Sequence, residues 1–258
     1  MHAQMFGLGF DSITRDDAIA TCDEAITVGK RMLIGVANAA KIVNMRRDAR
    51  LRQSVMECDV LLADGMSVVW ASRLLGKPLP ERVTGIDLFE GLLALAHRKR
   101  YRVYLLGATD DVLTRVVSVV ERTYPDALVV GARNGYFTES EAADVASEIA
   151  ASGADMLFLG ISSPKKETFL GRFADHLGVP VMHGVGGSFD VMAGVTQRAP
   201  EAWQRWGVEW AYRLKQEPRR LWRRYLTTNT KFVALTMKEV LHPTRLARTA
   251  KGVGGAAA

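Results

Sequence analysis

Asp64 is the residue of this chain whose type and position best suit proton transfer. It lies in Ala63-Asp64-Gly65-Met66, directly after a short apolar run that predicts a strand. A carboxylate at the end of a buried strand points into the crevice above a parallel sheet, where it can take a proton from an attacking hydroxyl. The alternative is that Asp64 caps the helix predicted to begin near Ser67, and the spacing alone favours the cap.

The segment Gly184-Val185-Gly186-Gly187-Ser188-Phe189-Asp190 is a candidate anion-binding loop. Gly186 and Gly187 would let the backbone approach a phosphate, and the start of a helix would supply N–H donors. The segment fails as a dinucleotide fingerprint because Phe189 occupies the third glycine position and the loop follows the last predicted strand. A tight turn with positive φ explains the glycines equally well.

Cations near two other turns could also bind an anion. Lys165 and Lys166 follow Ser162-Ser163-Pro164, where either serine could cap a helix and the lysines could reach into the crevice. Arg82 lies in a loop between two predicted helices. The ordinary alternatives are solvated lysines on a capped helix and a surface ion pair between Arg82 and Glu81.

Short apolar runs alternate with helical patterns along most of the chain. The runs are rich in Val, Leu and Ile without polar alternation, which is typical of strands covered on both faces. The predicted strands are Met32–Val36, Val60–Ala63, Arg102–Gly107, Leu128–Gly131, Met156–Gly160 and Val181–Val185. The predicted helices between them are Ala39–Asp48, Ser67–Leu75, Asp87–Lys99, Asp111–Tyr124, Glu139–Ser152 and Pro164–Leu177. This alternation predicts an α/β fold with a Rossmann-like, mostly parallel sheet flanked by helices.

The predicted sheet limits where a ligand can bind. Ligands of open parallel sheets lie beyond the carboxyl ends of the strands. Before any chemistry is considered, that rule selects Asn38, Asp64, Gly107, Ser162–Glu167 and Gly184–Asp190.

The last part of the chain is cationic and aromatic. Residues 205–251 contain 12 Lys and Arg against 3 Asp and Glu, a net charge of +9, whereas the whole chain is only +6. Such a segment needs an anionic partner: phosphate groups, nucleic acid or an anionic bilayer. Helices are predicted over Pro200–Gln216 and Arg219–Leu241. Residues 1–199 are therefore predicted to form an α/β core and residues 200–258 a basic helical appendage.

The composition argues against several classes of protein. Hydrophobic residues make up 48% of the chain and charged residues 24%, which is ordinary for a globular protein. No apolar run approaches the roughly 18 residues of a membrane span, and the N-terminus has no secretory pattern. Cys22 and Cys58 match no metal or redox spacing and suit a reducing cytoplasm. No Asp-x-Asp pair is present to hold a divalent metal, so if a diphosphate leaves here, arginines are the natural groups to stabilise its charge.

Eight motifs appear in a fixed order along the chain. They are Ala63-Asp64-Gly65-Met66, Arg82-Val83-Thr84-Gly85-x-Asp87-Leu88-Phe89, Tyr104-Leu105-Leu106-Gly107, Gly135-Tyr136-Phe137, Ser163-Pro164-Lys165-x-Glu167, Gly184-Val185-Gly186-Gly187-Ser188-Phe189-Asp190, Arg198-Ala199-Pro200 and Glu209-Trp210-x-Tyr212-Arg213-Leu214-x-x-Glu217-Pro218-Arg219-Arg220. Together they resemble the WecG/TagA/CpsF family of bacterial glycosyltransferases (glycosyltransferase family 26) over about residues 5–235.

The resemblance implies an inverting, metal-independent hexosyltransferase without a cofactor. Its donor would be a UDP-sugar, often UDP-N-acetylmannosamine or its uronic acid, and its acceptor a polyprenyl-diphosphate-linked saccharide. The products would be surface polysaccharides: teichoic acid linkage units, enterobacterial antigen, capsule or exopolysaccharide. The enzyme would be cytoplasmic and peripheral on the inner face of the cytoplasmic membrane, with an anionic membrane surface as partner. No nucleic acid is expected, and a homo-oligomer is compatible with the sequence.

Carried over residue by residue, the resemblance makes Asp64 the catalytic base, with Asn38 beside it. It thereby reverses the preference for a cap at Asp64. Arg82 matches a substrate-binding arginine. In the family, arginines of a C-terminal appendage are thought to close over the donor diphosphate. The matching residues here are Arg213, Arg220 and Arg223. The expected substrate-binding set is completed by Lys166, Tyr136, Gly186, Gly187 and Asp190.

Two positions depart from the family pattern. The family commonly has glutamine where this chain has Lys166, and a lysine could meet a carboxylate or phosphate that an amide would not. The family commonly has threonine where this chain has Val36, which removes a hydroxyl from the pocket. Both departures bear on the sugar, and some family members are thought to transfer other sugars, including glucose.

Two alternatives from other functional classes stay open at this stage. The strand–helix alternation also permits a nicotinamide-dependent oxidoreductase, although no glycine fingerprint follows the first strand. A nucleic-acid-binding module is supported only by the basic aromatic segment.

Overall fold

The computed structural model describes residues 2–162, 164–200, 203, 209–216 and 218–242. In the last two ranges, the backbone is helical, but some side chains lie outside the described part of the chain. These are the side chains of Trp210, Arg213, Gln216, Arg219, Arg220, Leu221, Arg223, Arg224 and Tyr225.

Strands and helices alternate through the described chain, as the sequence predicts. The strands are β1 (His2–Met5), β2 (Leu8–Asp11), β3 (Met32–Ala37), β4 (Val60–Ala63), β5 (Arg102–Gly107), β6 (Leu128–Arg133), β7 (Met156–Gly160) and β8 (Val181–Gly184). The helices of the core are α1 (Arg15–Thr27), α2 (Ala39–Asn44), α3 (Ala49–Met56), α4 (Met66–Leu74), α5 (Gly85–Lys99), α6 (Asp110–Thr123), α7 (Ala142–Ser152), α8 (Lys165–Phe173) and α9 (Ser188–Met192). Two more follow, α10 (Glu209–Gln216) and α11 (Pro218–Leu241).

The main sheet has six parallel strands in the order β4-β3-β8-β7-β5-β6, which confirms the predicted α/β fold. Strand β8 pairs with β3 on one side and with β7 on the other, so it joins two halves of the sheet. The chain leaves β5 outward to β6 but leaves β7 inward to β8. The strand order therefore reverses between β5 and β7, the kind of position where open α/β sheets bind ligands.

Several elements differ from their predictions. The β1–β2 hairpin, α1 and α3 were not predicted, and the helix predicted over Ala39–Asp48 ends earlier, at Asn44, as α2. Helix α3 begins just after the predicted range, where the Asp48 side chain accepts a hydrogen bond from Leu51 N at 3.0 Å and caps it. Strand β6 was expected to be covered on both faces, but one face is open. The strand lies at the sheet edge and leaves Leu128 and Val130 exposed.

The core is packed on both faces of the sheet. On one face, the Phe89 ring of α5 lies 4.7 Å from the Phe158 ring of β7 and 5.6 Å from the Phe189 ring of α9. On the other face, Phe137 packs against Phe169 of α8 at 5.6 Å. These aromatic contacts anchor the start of α9 to α5 and the residues that follow β6 to α8.

The β1–β2 hairpin and α11 bring the two ends of the described chain together. The Phe6 ring, 2% exposed, lies 5.3 Å from the Phe232 ring, which is 4% exposed. Helix α11 also packs against α2. The helix predicted over Pro200–Gln216 is described only in part, and the division between residues 199 and 200 stays a prediction.

Candidate active site

Asn38 and Asp64 meet at the carboxyl ends of two neighbouring strands. Ala37 of β3 and Ala63 of β4 are register partners, so the residues that follow them are adjacent. Asn38 Nδ2 donates a hydrogen bond to Asp64 Oδ2 at 3.3 Å. Asn38 Oδ1 accepts from Lys41 N at 3.0 Å and caps α2. Because that bond fixes the oxygen side of the amide, the NH₂ group of Asn38 is directed at the Asp64 carboxylate.

Asp64 is not the cap of α4. Gly65 occupies the N-cap position with φ of +137°, and as a glycine it has no side chain to cap the helix. The Asp64 backbone N–H donates to Ala37 O at 3.0 Å, so the ladder between β3 and β4 runs up to this residue. The N-cap residue of α4 is therefore Gly65 and not Asp64, and Asp64 stands at the end of the strand, at the edge of the sheet.

Lys41 is a residue of this region that the sequence interpretation missed. Its ammonium donates to Val36 O at 2.7 Å behind the Asn38–Asp64 pair. Burial lowers the pKa of Lys41, the charge of Lys166 lowers it further, and the Asp64 carboxylate acts in the opposite direction. Its position could have been found from the sequence. Lys41 comes three residues after Asn38, and an N-cap side chain binds the backbone N–H at that position of a helix.

Lys166 lies close to the same group. Its Nζ is 3.3 Å from Glu167 Oε1, and a Cβ at Gly184 would lie 3.0 Å from that Nζ. Lys166 therefore packs over the end of β8, the strand next to β3. The Val36 side chain, by contrast, belongs to the buried core and has only 9% of its surface exposed. The second departure from the family pattern, Val36 in place of threonine, thus changes a buried core residue beneath the site.

Arg82 is held between the core and the C-terminal helices. Val83 N donates to Ala63 O at 2.9 Å, which brings the Arg82 loop next to Asp64. Arg82 Nη1 lies 2.5 Å from Glu209 Oε2 of α10, and the two side chains are 13% and 20% exposed. The alternative of an ion pair with Glu81 is wrong, because Arg82 pairs with Glu209 and Glu81 Oε1 accepts a hydrogen bond from the backbone N–H of Arg15 at 2.6 Å.

Arg198 is a second arginine beside this loop, and it was not proposed as a site residue. It pairs with Asp87, and its Nη1 lies 3.5 Å from Glu90 Oε2. Asp87 in turn accepts a hydrogen bond from the Thr84 hydroxyl at 2.6 Å, at the start of α5. Burial raises the pKa of Glu90, and Arg198 opposes that shift.

The glycine-rich loop follows β8, between the ends of β3 and β7. Gly186 has a φ of +55°, which confirms the tight turn, and Gly187 stands at the N-cap position of α9. The Asp190 carboxylate is near Gly187, since a Cβ there would lie 3.8 Å from Asp190 Oδ2. The Asp190 backbone carbonyl accepts from Val195 N at 2.9 Å. The loop thus stands at the sheet edge where the strand-end rule places it.

The ends of β5 and β7 are packed too closely for side chains. A Cβ at Gly107, whose φ is +146°, would lie 2.4 Å from the carbonyl carbon of Gly160. Gly135 follows β6, and a Cβ there would lie 3.2 Å from the Gly107 Cα. Tyr136, next along the chain, is 76% exposed. This part of the edge is therefore lined by backbone and by one exposed ring.

Other predicted groups have different surroundings. The Lys165 ammonium donates to Gly135 O at 2.7 Å and to Phe137 O instead of reaching an anion in the crevice. Ser162 does not cap α8, because Pro164 is the N-cap residue and no side-chain cap hydrogen bond is present. Ser163 lies outside the described residues, as do the side chains of Arg213, Arg220 and Arg223 on α10 and α11. Their place over a donor diphosphate stays a prediction.

His183 is a buried histidine beneath the site in β8. Its two ring nitrogens lie 3.3 Å from Ile34 O and 3.2 Å from Gly85 O. Burial lowers the pKa of His183 to about 4, against the two carbonyl contacts, so the ring is neutral near pH 7. Within the part of the chain that the structure describes, no group of three His, Cys, Asp or Glu side chains is arranged to hold a metal ion.

Comparison with known proteins agrees with this geometry. Residues 3–246 match the Glycosyl transferase WecG/TagA/CpsF family. The chain is 36% identical over 209 residues to an N-acetylglucosaminyldiphosphoundecaprenol N-acetyl-beta-D-mannosaminyltransferase of Bacillus spizizenii, covering 81% of this chain and 80% of the relative. It is 37% identical over 179 residues to a protein of the same name from Bacillus subtilis, covering 69% of this chain and 68% of the relative. The match spans the Asn38–Asp64 pair, the glycine-lined edge and α11, and the chain belongs to the WecG/TagA/CpsF family of glycosyltransferases.

Proposed function

We propose that this glycosyltransferase moves a sugar from a UDP-sugar to a lipid-diphosphate-linked saccharide, with inversion and without a bound metal. The observation that carries the proposal is the Asn38–Asp64 pair at the carboxyl edge of the sheet. The two relatives act, by their names, on N-acetylglucosaminyldiphosphoundecaprenol and transfer N-acetylmannosamine. The transferred sugar is proposed to be N-acetylmannosamine, its uronic acid or glucose.

The proposed reaction is one direct displacement at the anomeric carbon. Asp64 takes the proton of the acceptor hydroxyl, whose oxygen forms the new bond as the bond from carbon to UDP breaks. Asn38 holds the carboxylate through its Nδ2, so the base keeps its orientation while the substrate approaches. Attack from the face opposite UDP inverts the anomeric carbon, so an α-linked donor gives a β-glycoside.

Cations of the protein are proposed to stabilise the charge that develops on the departing diphosphate. Arg82 and Lys166 border the Asn38–Asp64 pair from two sides, through Val83 and through the end of β8. Arg213, Arg220 and Arg223 are proposed to complete the set on α10 and α11. Gly186, Gly187 and Asp190 are proposed to hold the nucleotide end of the donor.

The exposed face of α11 supports a membrane-facing role for the appendage. Its large apolar side chains fall within an arc of about 100° on the helix, opposite the face that carries Phe232. These exposed side chains are Trp222, Leu226, Val233, Met237, Val240 and Leu241. An apolar stripe on a cationic segment suits an anionic bilayer surface, where a lipid-linked acceptor would reside. Among the described residues, no helix has both the length and the apolar character needed to cross a bilayer.

The test is transfer to a short, water-soluble polyprenyl-diphosphate-linked N-acetylglucosamine. UDP-N-acetylmannosamine, its uronic acid and UDP-glucose are offered separately, and the configuration of the new bond is determined by NMR. We expect one donor to be used, a β-linkage in the product and full activity in excess EDTA. A retained α-linkage, or a loss of activity that Mn²⁺ or Mg²⁺ restores, would contradict the mechanism.

Attachment to the membrane is tested separately from chemistry. Replacing Leu226, Val233 and Met237 by serine should weaken binding to vesicles that contain anionic lipid but leave transfer to the soluble acceptor within about 3-fold. Arg220→Ala with Arg223→Ala should reduce transfer to the same soluble acceptor by roughly 100-fold. If the arginine pair lost vesicle binding but kept full transfer, the appendage would be an anchor only.

A further inference from the structure

The loop after β6, residues 134–138, has its backbone fixed at consecutive positions. Gly135 N donates to Ala108 O at 3.0 Å, which ties the loop to the end of β5. Tyr136 N donates to Asn134 Oδ1 at 2.9 Å, and Thr138 N donates to Glu141 Oε2 at 2.6 Å. A surface loop would normally leave such groups to water, so this loop is held in one conformation by the protein around it.

Lys165 supplies the central contacts of the 134–138 loop. Its Nζ donates to the carbonyl oxygens on both sides of Tyr136, those of Gly135 at 2.7 Å and of Phe137. The same ammonium lies 3.6 Å from the centroid of the Phe137 ring. Phe137 is 6% exposed and packs on α8, so the ammonium joins the loop to the helix that follows β7. Burial lowers the pKa of Lys165, and Glu141 opposes that shift.

Tyr136 is the exception in this fixed loop. Its backbone N–H and the carbonyls on either side are bonded, yet the residue is 76% exposed. The loop stands above the ends of β5 and β7, where the strand order reverses and the backbones of Gly107 and Gly160 pack against each other. An ordered loop that presents one unburied aromatic ring beside such glycine strand ends is suited to a planar ligand.

We propose that Lys165 is a positioning residue for nucleotide binding, which fixes the 134–138 loop so that the Tyr136 ring can stack on the uracil of the donor. The inference rests on the proposed function, because it takes a uridine nucleotide as the ligand. Stacking of a base on an aromatic side chain depends on the ring being held in place before binding. The Lys165 charge acts inside the protein, on two carbonyls and a ring, and not on the diphosphate.

The experiment measures UDP binding by calorimetry, together with donor KM and kcat, for four proteins. They are the wild type, Lys165→Met, Tyr136→Ala and the double variant. Lys165→Met keeps an unbranched side chain of similar length over Phe137 and removes only the ammonium. Lys30→Met, on the exposed turn before β3, is the matched control.

We expect Lys165→Met to bind UDP about 10-fold more weakly and to raise donor KM by a similar factor, with kcat within about 3-fold of the wild type. The double variant should bind no more weakly than Tyr136→Ala alone, because Lys165 acts through that ring. Lys30→Met should match the wild type. If Lys165→Met does not fold, Lys165→Arg, which keeps donors at altered positions, is taken through the same cycle with Tyr136→Ala.

Two results would overturn the inference while leaving the proposed function intact. One is that the wild type binds UDP and Lys165→Met binds it with the same affinity. The other is a double variant whose loss is the product of the two single losses, since Lys165 would then act independently of Tyr136. A wild-type protein that bound no uridine nucleotide would instead contradict the proposed function itself.

Discussion

The two halves of the sheet end in different chemistry at the same edge. Strands β3 and β4 are followed by polar side chains, Asn38 and Asp64, which contact each other. Strands β5 and β7 end in Gly107 and Gly160, whose backbones approach too closely for a Cβ. The first half carries the proposed base, and in the second half backbone packs against backbone at the strand ends. One parallel sheet thus separates the proposed site of proton transfer from the proposed site of nucleotide binding along a single edge.

The largest expected effect is on turnover in the polar half. Asp64→Asn keeps the size of the side chain but cannot accept the proton, so kcat should fall by roughly two to four orders of magnitude with UDP affinity unchanged. Asp110→Asn is the matched control, because Asp110 begins α6 after β5 and its oxygen contact with Asn134 survives in the amide. Near-wild-type turnover in Asp64→Asn, or an equal loss in the control, would break the division between the halves.

The next effect is on stability in the glycine half. Gly107→Ala should lower the free energy of unfolding by roughly 3 kcal/mol, because its φ is +146° and the new Cβ would meet Gly160 at 2.4 Å. Urea unfolding measures the loss. Gly171→Ala in α8, where a Cβ meets nothing within 4 Å, should be neutral or stabilising. An unaffected Gly107→Ala protein would show that this edge tolerates side chains.

A third effect concerns the strand that joins the halves. The pKa of His183 is lowered to about 4 in the folded protein from an ordinary value of 6.5, so the unfolded chain binds the proton more tightly. The contribution to stability is therefore fully present above about pH 6.5 and is lost as pH falls towards 4. Between pH 7.5 and pH 5 it should cost about 2 kcal/mol.

Urea unfolding at the two pH values, on the wild type and on His183→Gln, separates this contribution from those of the carboxylates. The variant has no ionisable group at position 183, so its loss of stability on acidification should be smaller by that amount. An identical pH dependence in the two proteins would mean that the buried ring does not titrate as described.

The smallest expected effect is at the contact between the polar half and α10. Glu209→Gln removes the charge that faces Arg82 at 2.5 Å and should lower the free energy of unfolding by about 1 kcal/mol, since the side chains are largely but not fully buried. Glu81→Gln, whose oxygen accepts from the Arg15 backbone, is the control and should change stability less. If the two variants lost equal free energy of unfolding, the Arg82–Glu209 pair would contribute no more to stability than the Glu81 hydrogen bond.

The two halves also differ in how far the sequence predicts them. Apolar runs predict all six strands of the main sheet, because parallel strands buried on both sides leave a dense pattern of Val, Leu and Ile. Asn38 and Asp64 could be found because each directly follows such a run. The β1–β2 hairpin escaped because its four-residue strands are short, and its turn residue Phe6 takes a positive φ of 56° without being glycine.

Long-range contacts explain what the sequence could not supply. Arg82 was predicted to bind substrate, with an ion pair to its neighbour Glu81 as the alternative, but the structure pairs it with Glu209, 127 positions away. Lys165 looked like a cation for an anionic ligand, and only the fold brings the Gly135 and Phe137 carbonyls to its ammonium. Local spacing identifies strand ends and caps, whereas these pairings depend on which loops the sheet order places side by side.

The position of β8 has a consequence for synthesis on the ribosome. Both β3 and β7 leave the ribosome before the strand that fills the gap between them, since β8 begins at Val181. At a rate of roughly 5–20 residues per second, β3 waits on the order of 10 s for that partner. Until then the nascent chain carries open strand edges that can pair with other chains. Chaperone demand during translation should therefore peak just before Val181 to Gly184 emerge and fall once the sheet becomes continuous.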